Sequence, residues 1–267
     1  MDWDSARPAE MPADMSYVAV IPTGVKFNPN VLSWIPEWVQ RHPGATWQIG
    51  NEPDAYLQDN ASPEEYAQHY YAVATVFRQK DPTAKLAFGT VVQPTPLRRV
   101  YLDRAWMELS RLAGGQAQAS ALVDIWAIHA YLLGEMPGEW GVGRYPKGMT
   151  GTEAKLLRFG NVADADHYDF SRTHDVTLVA ALIRDFRAWM AAKGERAKPL
   201  YITEYGVAFP PIDPPTRDVY NVSDADSGKY MVDTFEFFRT ATDASTGLPS
   251  DNDLLVQRWY WFTINEI

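Results

Sequence analysis

Two glutamates carry the clearest chemical signal in this sequence. Glu52 follows Trp47-Gln48-Ile49-Gly50-Asn51, and Pro53 comes next. The run reads as a buried strand over residues 46–52, and Pro53, which has no N–H, stops its ladder. Glu204 ends a second strand, residues 199–204, and Tyr205-Gly206 follows it. A carboxylate or amide at the end of an apolar strand costs desolvation energy, and chains usually tolerate that cost where chemistry is done. Two opposed carboxyl groups are what acetal hydrolysis needs. One holds a proton for the leaving oxygen, and the other stays ionised to attack or stabilise the anomeric carbon. Their surroundings must then push their proton affinities apart. The bland competitor is two unrelated glutamates in salt bridges, and what separates the two readings is where the strands lie.

The elements that would position this pair alternate strictly. Strands are expected at 17–21, 46–52, 85–90, 122–131, 199–204 and 255–262, from β-branched or apolar runs bounded by Pro, Gly and Asp. Helices are expected between them. The first spans 31–41, with Trp34, Ile35, Trp38 and Val39 on one stripe. The second starts at Ser62-Pro63-Glu64-Glu65, a capping box with Pro at the first helical position, and stops at Asp81-Pro82. The third runs from Thr95-Pro96 to Gly114-Gly115, and two more cover 175–193 and 223–240. Alternation of this kind implies a parallel sheet with helical crossovers. In a (β/α)8 barrel, as in open doubly wound sheets, the C-terminal strand ends form the active face. Asn51, Glu52, His129, Tyr131, Glu204 and the aromatics at 259–261 all gather at such ends. Long loops at 134–170 and 205–224 break the rhythm, and loops of that length are functional or mobile. Trp140 and Tyr145 in the first could cap a glycan groove or simply be solvated. Gly141-Val142-Gly143 lies inside it rather than between strand and helix, so it fails as a dinucleotide fingerprint.

Composition narrows the partners. The 267 residues are 46% apolar, enough for one large α/β domain with its own core. A net charge of −10 argues against nucleic acid and anionic membrane and suits a neutral substrate. Aromatics reach 13%, with ten Trp and fourteen Tyr, which serve either as large core residues or as a stacking surface for sugar rings. The absence of cysteine removes disulfides, thiolate nucleophiles and Cys-zinc sites. Five histidines without H-E-x-x-H spacing make no evident metal site. No apolar run is long enough to span a bilayer, and no signal-peptide pattern opens the chain.

Asn51-Glu52-Pro53 and Thr203-Glu204-Tyr205-Gly206 resemble the acid/base and nucleophile motifs of glycoside hydrolase clan A, retaining (β/α)8 barrels with Glu at the ends of strands 4 and 7. His129-Ala130-Tyr131 is similar to the H-x-Y at the end of strand 6, and Trp261-Phe262 to the strand 8 aromatic at the glycone subsite. Within the clan, Gly50-Asn51-Glu52-Pro53-Asp54 and Val123-Asp124 with the H-x-Y look most like family 128, small barrels acting on β-1,3-glucans. The resemblance implies a catalytic pair, Glu52 as acid/base and Glu204 as nucleophile. It implies that Asn51 binds the sugar 2-hydroxyl, that Tyr131 or His129 orients Glu204, and that Trp261 forms the stacking floor. Each has a plainer alternative: His129 as a satisfied core histidine, Tyr131 as strand packing, Trp261 or its face-mate Trp259 as barrel filling. One departure is Ile21-Pro22-Thr23-Gly24, where the similar families tend to carry an aromatic after the proline.

Counting back from strand 4 makes 17–21 strand 3 and leaves only the Trp3 region for the tail of strand 2. The expectation is therefore one catalytic barrel over residues 1–267, lacking strand 1 and the last helix, as a fragment of a longer chain. Its expected partner is an oligo- or polysaccharide, with no cofactor, metal, nucleic acid or membrane, and with the chain a monomer. An extracellular or cell-surface location follows if the full-length protein has a signal peptide. Two other classes compete: a non-catalytic carbohydrate-binding barrel, degenerate or truncated, and a structural α/β domain whose acids are incidental.

Overall fold

The computed structural model describes residues 18–133, 135, 145–150, 173–207 and 222–262. Trp3, Trp140, most of the 134–170 loop and most of the 205–224 loop lie outside them. Six strands form one parallel sheet in sequence order: β1 (Val18–Ile21), β2 (Thr46–Ile49), β3 (Lys85–Val91), β4 (Ile125–His129), β5 (Leu200–Tyr205) and β6 (Arg258–Trp261). Each strand pairs only with its neighbours in the chain, all in parallel. That is the order of a (β/α)8 barrel, of which the described residues hold six strands. The crossovers are helical: α1 (Val31–Arg41), α2 (Pro63–Lys80), α3 (Pro96–Ala113), α4 (Gln116–Leu122), α5 (Val176–Ala192) and α6 (Asp224–Thr240). No helix among the described residues is long and apolar enough to cross a membrane.

The helix starts follow the sequence signals with one informative exception. Ser62 Oγ accepts from the Glu65 N–H, Glu65 accepts from the Ser62 N–H, and Pro63 opens α2. Asp175 caps α5 and Ser223 caps α6 in the same way. Thr95 precedes α3 without capping it, because its hydroxyl donates instead to Glu135. Two strand boundaries move. The 122–131 run is split, with Leu122 closing the short helix α4 and β4 beginning at Ile125. Gly114 and Gly115, both at positive φ, separate α3 from α4 and so hide a helix inside what reads as a loop. The 46–52 run stops as a strand at Ile49, because Gly50 takes φ +98° and turns the chain.

Successive strand residues point to opposite faces of the sheet, and the two faces differ in bulk. Leu86, Phe88, Trp126, Ile128, Leu200 and Ile202 join the large core shared with the helices, where Trp126 meets Trp106, Phe186 and Trp189. The inward face is small by comparison: Ala87, Ile125 and Ala127 pack with Tyr201. The same alternation that sends Ile128 outward sends His129 inward, at the C-terminal end of β4. Glu204 pairs in register with His129, across a shift between Ile128 and His129. Layering of the helices on the outer core thus leaves the strand ends as the place where polar side chains converge.

Candidate active site

Glu52, His129 and Glu204 come together at the C-terminal strand ends. One ligand-type atom from each lies within 4.8 Å of the others. His129 Nδ1–H donates to Glu52 Oε1 at 2.9 Å and lies 3.6 Å from Glu204 Oε2. Tyr131 donates its hydroxyl to Glu204 Oε1 at 2.7 Å. Tyr131 thus contacts Glu204, while His129 contacts Glu52 and faces both carboxyls. Burial opposes charge on the His129 imidazole. The hydrogen bond to Glu52 and the negative fields of Glu52, Glu204 and Asp54 more than offset it, and its pKa lies above the usual value. Glu52, His129 and Glu204 are also the group of described residues that could offer ligand atoms to a cation.

Behind Glu52 lies a buried ionic network. The Arg98 guanidinium, on α3, donates from Nε and Nη2 to the two oxygens of Glu135 at 2.8–3.2 Å. Its Nη1 donates to Asp54 Oδ2 and to the Asp54 carbonyl, both at 2.8 Å. Gln93 and Thr95 complete the Glu135 shell. Glu135 takes the forked end of the guanidinium and is held below the usual carboxylate range, even against its burial. Asp54 has one arm only; burial, aided by the nearby charge of Glu52, pushes it up to about 6 despite Arg98. This network ties together the loops after β2, β3 and β4.

The backbone around Glu52 is unusual. Glu52 has φ +46° and Thr90, at the end of β3, has φ +42°. Left-handed φ costs an L-residue about 1–2 kcal/mol, and a β-branched residue there is a genuine outlier. The two are joined, since the Glu52 N–H donates to the Thr90 carbonyl at 3.0 Å. The Thr90 hydroxyl donates to the Gly50 carbonyl at 3.1 Å. Tyr66 of α2 supplies a further tie, donating to the Ile49 carbonyl and accepting from the Gly89 N–H. Gly50 is required here: a Cβ would sit 2.7 Å from the Tyr66 ring. Asn51 is steered from the other side, its N–H donating to Asp59 Oδ2, which also accepts from the Thr23 N–H and hydroxyl. Asp59 thereby links the Thr23 turn, where the expected aromatic is missing, to the Asn51-Glu52 turn.

Trp261 is half-buried at the end of β6. Its described ring contacts are with Tyr205 and with Tyr230 of α6, on the helix side of the sheet, and Trp259 likewise meets Phe235 and Phe238. The next residue, Phe262, turns to the mouth. Its ring meets Tyr131 edge-on at 6.5 Å between centroids, and it remains 46% exposed. The pair Trp261-Phe262 was legible as aromatic, but a one-residue change of face decides which ring reaches the site. Thr90, Arg98, Asp59 and Glu135 carry no site signal in the sequence, and Tyr66 reads only as part of the apolar stripe of the second helix. The single available hint was Gly89, a glycine inside a strand, which often marks a bulge.

No protein-family model matches the sequence, and no curated protein matches it. Solved structures with the same fold do exist. The chain superposes on a curdlan-specific exo-β-1,3-glucanase of glycoside hydrolase family 128, subgroup III, from Blastomyces gilchristii, with TM-score 0.54 and 14% identity, covering 96% of this chain and 77% of that one. A subgroup II endo-β-1,3-glucanase of the same family from Sorangium cellulosum gives TM-score 0.51 and 16% identity, covering 95% and 72%. A glucosidase from Croceicoccus marinus gives TM-score 0.56 and 14% identity, covering 93% of this chain but 42% of its own. At these identities the likeness establishes the fold.

Proposed function

We propose that this chain is the barrel of a retaining O-glycoside hydrolase that cleaves a β-linked glucan, with Glu52 as acid/base and Glu204 as nucleophile. The observation that carries the reading is the approach of a Glu52 oxygen and a Glu204 oxygen to within 4.8 Å across His129. Retaining enzymes place their carboxyls about 5–5.5 Å apart and inverting ones about 6.5–9.5 Å, and so close an approach of two carboxyl oxygens supports the retaining reading. The superposed glucanases of family 128 support a β-1,3-linked substrate.

In the first step a Glu204 oxygen bonds to the anomeric carbon as its bond to the leaving oxygen breaks. The Glu52 proton passes to that oxygen. Water then attacks the same carbon, Glu52 takes its proton, and Glu204 leaves. Tyr131 donates to the Glu204 oxygen that must carry charge until attack and again on departure. Asn51 faces the 2-hydroxyl, where a hydrogen bond strengthens most in the transition state. Phe262, exposed beside Tyr131, is the better placed strand 8 ring for stacking; Trp261 supports it from the helix side. The test is turnover of a β-glucan panel by the intact protein with Glu204→Ala alongside, and product anomer read by NMR. Wild-type turnover in the variant, or an inverted product, overturns the reading. Glycan binding without turnover by the intact protein favours the non-catalytic binding barrel.

A further inference from the structure

We propose that Thr90 is a positioning residue for the Glu52 carboxyl, holding Glu52 in its left-handed conformation through a paired contact between two strained strand ends. The inference rests on the reading of Glu52 as acid/base, and concerns how the chain aims that side chain.

Glu52 and Thr90 both have φ near +45°, at the ends of adjacent strands, and both are buried. An isolated left-handed glutamate would relax towards the common regions of backbone space and carry its side chain away. Two bonds oppose this. The Thr90 carbonyl accepts the Glu52 N–H, which fixes the peptide on the N-terminal side of Glu52. The Thr90 hydroxyl donates to the Gly50 carbonyl, which fixes the turn two residues earlier. That carbonyl also accepts from the Gln48 side chain at 3.2 Å, so the turn is held from both sides.

Thr90 can reach both places only because it is itself left-handed. It sits where the β3–β4 register shifts, between Gly89 and Val91. Gly89 has φ +119°, and a Cβ there would lie 2.4 Å from the Ala127 carbonyl, so the bulge needs glycine at that position. An ordinary strand would place the residue 90 carbonyl in its own ladder. Here the Thr90 carbonyl meets the Glu52 N–H instead. A threonine is a poor choice for that backbone and a good one for the hydroxyl, which implies that the hydroxyl is what is used. With the backbone so fixed, Glu52 Oε1 arrives 2.9 Å from His129 Nδ1.

Three variants separate hydroxyl from backbone: Thr90→Val keeps the branch and removes the hydroxyl, Thr90→Ser keeps the hydroxyl, and Thr90→Gly accepts the φ and removes both. Kinetics are measured on a laminari-oligosaccharide, whose leaving oxygen needs a proton, and on a dinitrophenyl β-glucoside, whose leaving group does not. Thr90→Val is expected to lose about 10–100-fold in kcat/KM on the oligosaccharide and far less in kcat/KM on the activated substrate, a ratio that reports the first step alone. Thr90→Ser is expected to recover most of the loss, and Thr90→Gly to resemble Thr90→Val while retaining the folded far-UV spectrum. Equal losses in kcat/KM on both substrates, or wild-type kinetics in Thr90→Val, overturn the proposal. A crystal structure of Thr90→Val gives a readout that needs no turnover, with the Glu52–His129 contact expected to open. If that contact and the Glu52 backbone persist, the proposal fails whatever the activity. If wild type cleaves no β-glucoside while the contact opens in Thr90→Val, the hydrolase reading fails and the positioning role stands.

Discussion

The two glutamates that face each other are supported in opposite ways. Glu52 lies beyond the end of its strand, on a left-handed backbone, with its side chain 9% exposed and a buried arginine network behind it. Glu204 lies inside β5, where the register shifts against both neighbouring strands, its side chain 24% exposed, with a phenol and an imidazole edge among its contacts. One side is over-determined and the other is open. A group that must deliver a proton to an oxygen and later retrieve one from water gains from fixed aim. A group that must form and break a bond at carbon needs access and a charge-holding donor. The difference in support therefore matches the difference in task.

The comparison is broken most directly by removing each acid. Glu204→Ala is expected to lose on the order of 10^4-fold or more in kcat on every glycoside, as for a residue of a unit that fails together. Glu52→Ala should lose about 10²–10⁴-fold on an unactivated glycan and much less in the first step on a dinitrophenyl glycoside. Identical profiles for the two variants would abolish the division of labour. Arg98→Ala leaves Asp54 and Glu135 buried without their cation, and should cost about 3–5 kcal/mol, read as a Tm lower by roughly 6–15 °C. Tyr131→Phe removes one hydrogen bond to a charged group, about 1.5–3 kcal/mol, and should lower kcat about 10–100-fold with Tm nearly constant. A large Tm change with normal kcat would make Tyr131 a packing residue. Phe262→Ala should raise KM about 2–10-fold with kcat nearly unchanged, whereas a fall in kcat alone would detach Phe262 from substrate binding.

The smallest expected effect is a pH slope. The Asp54 carboxyl is pushed up to about 6 from 3.8, by burial first. Between those values the folded protein binds more protons than the unfolded chain. The stability this group lends is thus present at low pH and is lost as pH rises through about 6. Asp54→Asn should flatten the Tm–pH curve across that window by a few degrees. Parallel curves for the two proteins would remove Asp54 as the source.

How much of this was legible divides along the same line. The open side was readable, because Glu204 lies near the end of a short apolar strand and Tyr131 follows His129 by two residues, so one strand end supplies both contacts. The fold was readable for the same reason, since strand and helix periods are local. The supported side was not. Arg98 sits on a helix with an apolar stripe and looks like any polar-face residue; its partners come from residue 54 and, 37 positions on, from residue 135. Thr90 by its type argues against the conformation it adopts. Only the geometry of Gly89 and the neighbouring strand requires it. The strand ladder predicted Glu52 at a strand end, but the turn at Gly50 moved it off the strand and gave it a different set of neighbours.

One phenol links this architecture to the helices. Tyr66 stands in for a missing rung between β2 and β3, receiving the Gly89 N–H and passing its own proton to the Ile49 carbonyl. A helix residue thereby measures the height of two strands. Because α2 advances about 1.5 Å per residue, inserting or deleting one residue between Ser62 and Tyr66 would lift the phenol out of its gap and rotate it by about a quarter turn. The strand ends would then lose their common level, while the outer core kept its volume. The short segment from the capping box to Tyr66 acts as a spacer of fixed length, and changes in its length should be felt at Glu52 before they are felt in the fold.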